Sequence, residues 1–90
     1  DGEFPPGFCS IVPDLVVEVV SPHDSDADVQ AKAREWLAGG VSVVWMVDPQ
    51  RRVVEVWQSE NERQQLGEKE ILTGAPVLPG FQVSVRALFE

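Results

Sequence analysis

The run of residues 14–20 constrains the fold more than any other segment. Apart from Asp14 and Glu18, it consists only of leucine and valine. Side chains alternate between the two faces of a strand, so both faces of this one are largely apolar. A strand with two apolar faces is typical of a position covered on each side. The sequence therefore predicts that this strand lies centrally in a sheet.

A helix is predicted directly after this strand. Ser21 and Pro22 end the strand, and Ser25 with Asp28 has the spacing of a capping box. The adjacent glycines at 39–40 supply a left-handed residue that ends a helix, which predicts a helix over about 26–38. Apolar residues at helical spacing form one stripe, which predicts that they pack against the sheet: Val29, Ala33, Trp36 and Leu37.

The remaining pattern predicts strands joined by short turns. The predicted segments are an extended arm over 1–12, strands over 41–48, 52–58 and near 81–85, one further short strand within 64–72, a turn at 48–51, and a helical turn over 86–89. The crossover through the helix predicts a parallel first pair of strands, and the turn at 48–51 predicts an antiparallel second pair. The fold class is therefore α/β, with a mixed sheet and one crossover helix.

Composition limits the size and class of the protein. The chain has 90 residues, 7 basic and 15 acidic side chains, a formal net charge of -8 and one cysteine. A chain of this length buries one core, so we expect a single domain over 1–90. No apolar run approaches the roughly 20 residues that span a bilayer, so we expect no membrane segment. The single cysteine allows no internal disulfide, and we expect a reducing, cytoplasmic location.

Glu18 is the residue that most needs a bonding partner. It lies among valines, and an ionised carboxylate in an apolar interior must be paired, protonated or bound to a cation. Asp14 shares its face of the strand but lies about 13 Å away, too far for both carboxylates to hold one ion. Asp14 is therefore only a weak candidate as a metal ligand, and any second ligand must come from another element.

Lys32 lies at the border of the apolar stripe and could extend toward the strand that carries Glu18. A carboxylate beside an ammonium suits metal-assisted phosphodiester hydrolysis, in which Mg²⁺ takes oxygen ligands and lysine assists the attacking water. An alternative stays open, because Asp28 precedes Lys32 by four residues and Glu35 follows by three. That spacing is also typical of an exposed ladder of ion pairs.

The other reactive side chains predict structural roles. His23 is the only histidine and lies in a polar loop, which favours a surface imidazole. Cys9 has no basic neighbour in sequence to lower its pKa, so an inert thiol is expected. Trp36, Trp45 and Trp57 have the spacing of core residues. The net negative charge works against binding to phosphate backbones, although acidity suits a site that collects divalent cations.

Several linked motifs together resemble one known family. They are residues 13–22 (PDLVVEVVSP), Lys32 followed by Trp36, residues 40–41 (GV), residues 44–49 (VWMVDP) and residues 77–81 (VLPGF). In this order they resemble the Uma-type endonuclease family of bacteria, which belongs to the restriction-endonuclease-like superfamily with the PD-(D/E)xK signature. The resemblance covers nearly the whole chain but only the C-terminal half of the family's domain.

The resemblance implies roles for individual residues. Glu18 matches the acidic metal ligand of the (D/E)xK strand. Val20 stands where the signature places lysine, and Lys32 on the helix matches the position to which the family moves it. Trp36 stands where the family usually has tyrosine. The family's first metal-binding aspartate belongs to an upstream strand, and Asp14 does not replace it. A fold without its N-terminal part is therefore expected.

Two hypotheses follow from these observations. In the first, the chain is an incomplete endonuclease that acts on DNA phosphodiesters, with Glu18 and Lys32 as catalytic residues and Mg²⁺ or Mn²⁺ as the cofactor if the site is complete. In the second, it is a catalytically inactive α/β interaction module. Such a module would form homo-oligomers, because an uncovered apolar sheet edge or face needs a partner.

Overall fold

The computed structural model describes residues 14–75 and 77–90. The predicted arm and Cys9 lie outside the described residues. The elements in chain order are β1 (Leu15–Val19), α1 (Asp26–Ala38), β2 (Val43–Asp48), β3 (Val53–Ser59), β4 (Glu62–Leu66), β5 (Ile71–Thr73), β6 (Gln82–Ser84) and a 3₁₀ helix (Val85–Phe89). The order of strands and helices confirms the predicted α/β class.

Helix α1 begins and ends where the sequence predicts. The Ser25 hydroxyl accepts a hydrogen bond from the Asp28 backbone N–H, and the Asp28 carboxylate accepts one from the Ser25 N–H. This capping box satisfies two backbone donors that the helix itself cannot. At the other end, Gly40 takes a φ of 106°, in the left-handed region that glycine enters without steric cost.

The sheet is mixed, as predicted. Four strands lie in the order β1-β2-β3-β4, while β5 and β6 form a separate antiparallel pair. The crossover through α1 makes β1 parallel to β2, and the tight turn after Asp48 makes β2 antiparallel to β3. Because α1 connects two parallel strands, it runs back across one face of the sheet, and its N-terminus lies near the end of β1.

Each face of the sheet carries its own core. On the helix-covered face, the buried residues are Val20, Val29, Ala33, Val41, Val44, Met46 and Trp57. On the opposite face, which the β5–β6 pair and the 3₁₀ helix partly cover, they are Val43, Trp45, Val54, Leu66, Leu72 and Val85. Trp45 and Trp57 are thus core residues, as predicted. No helix within residues 14–75 and 77–90 is long and apolar enough to cross a membrane.

Two predictions about the strands are wrong. β1 ends the row of four described strands, and Val17 and Val19 on its face away from α1 are 52% and 65% exposed. An apolar run predicted cover on both faces, but on this face the described elements cover β1 only at Leu15. Residues 64–72, predicted to hold one short strand, instead hold the end of β4 and the beginning of β5, which a turn at Gly67 separates.

Candidate active site

Glu18 lies on the helix-covered face of β1 and is half-buried. Its Oε2 accepts a hydrogen bond of 2.6 Å from the indole Nε1 of Trp36 on α1. A bond this short between an N–H donor and a carboxylate is typical of a charge-assisted interaction. Oε1 of Glu18 has no hydrogen-bond donor among the described residues. The carboxylate that the sequence singled out is therefore partly satisfied, and its donor is a tryptophan.

Among the described residues, no hydrogen bond or ion pair joins Lys32 to Glu18. The Nζ of Lys32 lies 3.3 Å from Oδ1 of Asp24, in the loop that follows β1. The side chain of Lys32 is 46% exposed, and an exposed ion pair of this kind holds a lysine only weakly. Neither alternative for Lys32 describes this arrangement, because Asp28 serves the helix cap and no described Asp28–Lys32 ion pair exists. The Asp24 contact depends on the path of the loop, which residue spacing does not predict.

Neighbouring groups lower the pKa of Asp24. The backbone N–H of Ser21 donates a hydrogen bond of 3.0 Å to its Oδ2. This hydrogen bond is the main cause that holds the pKa of Asp24 below its ordinary value, and the Lys32 ammonium lowers the pKa further. Desolvation acts in the opposite direction. Asp24 therefore stays ionised and neutralises Lys32 in the loop at the C-terminal end of β1.

Asp14 is remote from this arrangement. It is exposed and lies just before β1, while Asp24 follows the other end of the strand. Its backbone oxygen accepts hydrogen bonds from Ser42 and Val43, which anchors the beginning of the strand pair. The structure thus gives Asp14 a backbone role, and the metal role assigned to its side chain stays a weak prediction.

Glu55 is the buried carboxylate of the described residues, and it was not among the candidate residues predicted from the sequence. It is 6% exposed on β3, in the same row of the sheet as Met46 and Glu18. Its Oε1 accepts a hydrogen bond of 3.0 Å from Nε1 of Trp57 and lies 3.9 Å from Arg63. The spacing Glu-x-Trp on a strand places both side chains on one face, so this pair had a signal in the sequence.

An acidic cavity of about 230 Å³ lies next to these residues. Four carboxylates line it, those of Asp24, Asp26, Asp48 and Glu55, together with Arg51 and apolar side chains of α1, β2, β3 and the segment after β1. Each of these four carboxylates already accepts a hydrogen bond: Asp24 from Ser21 and Lys32, Asp26 from Gln30, Asp48 from the turn that follows it, and Glu55 from Trp57. Across the part of the chain that the structure describes, no group of three or more acidic, histidine or cysteine side chains is placed to hold a metal ion.

Two further predicted residues are placed clearly. His23 is exposed in the loop after β1, as the sequence predicts. Trp36 is 38% exposed, whereas the other two tryptophans are at most 7% exposed. The prediction that Trp36 is a core residue is therefore wrong. It lies over β1, at the end of the row of described strands, and its polar edge faces Glu18.

Comparisons with known proteins agree with the fold. The family model Uma2, described as "Putative restriction endonuclease", matches residues 2–86. A crystal structure described as "a putative nuclease belonging to DUF820", from Anabaena variabilis ATCC 29413, superposes with a TM-score of 0.74 at 24% sequence identity. The aligned region covers 88% of this chain and 45% of that chain, and this likeness shows the fold. Among curated proteins, none matches the chain significantly.

Proposed function

The chain belongs to the Uma2 family, and on that premise we propose that it forms part of a divalent-metal-dependent endonuclease that cleaves DNA phosphodiester bonds. Glu18 is the proposed ligand of Mg²⁺ or Mn²⁺, and Lys32 is the proposed ammonium beside the phosphate. One observation carries the proposal. The Glu18 carboxylate is held at Oε2 by Trp36, while Oε1 has no described donor.

The donor chemistry of Glu18 fits a hard cation. Mg²⁺ prefers oxygen ligands, keeps several waters and is commonly bound by one or two carboxylates together with substrate phosphates. Glu18 supplies one such oxygen, and the described residues offer no complete cluster around it. The chain would thus contribute part of the ligand set. When bound, the cation would polarise the phosphate and activate water.

Lys32 is within reach of the same place. It precedes Trp36 by four residues on α1, so the Cβ atoms of the two residues are about 5–6 Å apart. Because the Asp24 ion pair is partly exposed, it costs little to break. We therefore propose that Lys32 leaves Asp24 when a phosphate binds next to Glu18. Its ammonium then neutralises charge that develops on the phosphate in the transition state.

The net charge of -8 shapes how such an enzyme would bind DNA. Affinity for nucleic acids comes largely from lysine and arginine that displace counterions, and this chain has only 7 of them. Binding would therefore depend on the divalent cation that bridges Glu18 to the phosphate. We expect weak binding in EDTA and measurable binding in Mg²⁺.

The test is cleavage of a labelled DNA duplex and a supercoiled plasmid by three proteins in Mg²⁺: wild type, Glu18→Gln and Glu60→Gln. Glu60 is an exposed acid in the turn after β3, so it controls for the loss of one negative charge. Loss of several kcal/mol of charge stabilisation predicts that Glu18→Gln is about 100-fold slower or worse. A wild type that cleaves DNA and a Glu18→Gln variant that cleaves at the same rate would reject Glu18 as the ligand.

A second candidate function, self-association, is favoured by the exposed part of β1. Val17 and Val19 form an apolar strip at the end of the row of described strands. The backbone groups of Val20 and Asp14 bond to β2, so those of the alternate residues 15, 17 and 19 point to the outer edge. Long apolar edges of this kind are typical places for another strand to add.

The partner that fits this edge is a second copy of the chain. An antiparallel pairing of two β1 strands centred on Val17 places residue 15 opposite residue 19 on the apolar face. On the other face it places Glu18 opposite Val16, so no acid faces an acid. Strand pairs are stabilised by apolar pairs and destabilised by like charges directly opposite. The strand is therefore complementary to itself in one register.

Sedimentation of wild type, Val19→Lys and Leu88→Lys tests this second candidate. Leu88 is also exposed, at 41%, but lies on the 3₁₀ helix. We expect a dimer for wild type and Leu88→Lys, and a monomer for Val19→Lys, because two lysines would meet an apolar edge. A monomeric wild type at all concentrations, or a Val19→Lys dimer, would reject the proposed pairing.

A further inference from the structure

We propose that Trp36 is a positioning residue for the carboxylate of Glu18. This inference rests on the proposed function, because it assigns Trp36 the task of presenting Oε1 of Glu18 to the cation. In this role Trp36 contacts neither the metal nor the phosphate. The indole N–H would act through Glu18 alone.

The exposure of Trp36 is the first observation behind this inference. Helix α1 faces the core with Val29 and Ala33, which are 7% and 0% exposed, whereas Trp36 is 38% exposed. Packing in the core therefore does not by itself explain the position of Trp36. Tryptophan combines a large apolar ring with one N–H donor, and that donor needs a partner when it is withdrawn from water. Here the partner is a carboxylate on the adjacent strand.

The second observation is the geometry of the hydrogen bond. The distance of 2.6 Å from Nε1 to Oε2 fixes one oxygen of Glu18, and with it the rotation of the carboxylate. A cation could then bind Oε1 without first ordering the side chain. The described residues contain a second such pair, in which Nε1 of Trp57 donates to Glu55 at 3.0 Å.

The two indole–carboxylate pairs differ in access. Trp57 and Glu55 are 1% and 6% exposed, so their hydrogen bond satisfies a buried charge within the core. Glu18 and Trp36 are partly accessible, so the same chemistry there leaves a carboxylate oriented and open to ligand. Outer partners that orient a metal ligand typically contribute about 10- to 100-fold to metal affinity. Loss of the Trp36 donor should therefore weaken binding by about tenfold.

The test is a Mg²⁺ titration of the whole chain and three variants, followed by NMR. Trp36→Phe removes the N–H donor. Trp36→His keeps a ring N–H at the same number of bonds from the backbone, and imidazole is a poor ligand for Mg²⁺. Glu18→Gln removes the charge that binds the cation. The Mg²⁺ dissociation constant and the indole N–H resonance of Trp36 are measured, with the thermal midpoint as a control for folding.

We expect the dissociation constant to rise about tenfold in Trp36→Phe, to return to within about threefold of wild type in Trp36→His, and binding to disappear in Glu18→Gln. In wild type, the indole resonance of Trp36 should shift along the same Mg²⁺ isotherm. If Trp36→Phe binds Mg²⁺ as wild type does, or if Trp36→His binds as poorly as Trp36→Phe, the positioning role is overturned while the proposed function stands. If Glu18→Gln binds as wild type does, or wild type does not bind, the proposed function fails and takes this inference with it.

Discussion

Replacement of Trp57 by phenylalanine should cost a large part of the stability of this small domain. The substitution removes the donor to Glu55, and a hydrogen bond to a charged group contributes about 1.5–3 kcal/mol. Trp57 is 1% exposed, so the smaller ring also leaves a cavity that costs about 1–2 kcal/mol. Together these effects predict a loss of about 2.5–5 kcal/mol. At about 0.05–0.15 kcal/mol per residue, a chain of 90 residues has only about 5–13 kcal/mol in total.

A double-mutant cycle separates the hydrogen bond from the cavity. Urea unfolding, followed by far-ultraviolet circular dichroism, is measured for wild type, Trp57→Phe, Glu55→Met and the double variant. Methionine fills similar space to Glu55 without a charge. The cost of the cavity left by Trp57→Phe is then the same with Glu55 and with methionine at position 55, so it cancels in the coupling free energy. We expect a coupling free energy of about 1.5–3 kcal/mol with unchanged urea slopes. A coupling below about 0.5 kcal/mol would refute the reasoning, since it would mean that the indole donor does not satisfy Glu55.

Two further perturbations have outcomes set by the structure. The Ser21 backbone N–H lowers the pKa of Asp24 in the folded chain, so the ionised Asp24 should stabilise the fold fully above the ordinary pKa of 3.8 and progressively less as the pH falls below that value. The unfolding curves of wild type and Asp24→Asn should therefore converge in acid. A difference in stability between the two proteins that persists at pH 2 would contradict this prediction. Gly74→Ala should destabilise the chain by about 1–3 kcal/mol, because the new methyl would lie 2.7 Å from Cβ of Leu78. The control Gly67→Ala, which has only a flexible side-chain atom at 3.9 Å, should unfold close to wild type, and equal midpoints for both variants would contradict the packing.

Local structure followed from the sequence because its causes are local. The Ser25 and Asp28 capping box and the left-handed Gly40 act within one turn of helix α1, so residue type and spacing were sufficient to predict both helix ends. The parallel crossover and the antiparallel turn follow from the same short-range logic. Element order and fold class were therefore predictable.

Burial was less predictable because it depends on neighbours that are distant in sequence. The apolar run of β1 predicted cover on both faces, yet Val17 and Val19 are exposed. Periodicity reports which side chains share a face, but it does not report how far another element extends over that face. The same limitation applied to Trp36, whose spacing matched the buried stripe of α1 although it lies at the border of the core.

The candidate site was predicted in part. Glu18 lies among valines, and the prediction that its carboxylate needs a partner is confirmed. The partner is Trp36, whereas the side chain of Lys32 pairs with Asp24. The contact of Lys32 with Asp24 depends on how the loop after β1 returns to the helix, which spacing does not encode. Glu55 could have been found, because a glutamate and a tryptophan two residues apart on a strand share a face.

The assignment of Glu18 as a metal ligand is tested most directly by an anomalous difference map from a crystal soaked in Mn²⁺. We predict a peak about 2.1 Å from Oε1 of Glu18, with the indole nitrogen of Trp36 still within hydrogen-bonding distance of Oε2. A peak in the cavity lined by Asp24, Asp48 and Glu55 instead, or no peak at Glu18 at saturating Mn²⁺, would contradict the assignment of Glu18 as the metal ligand.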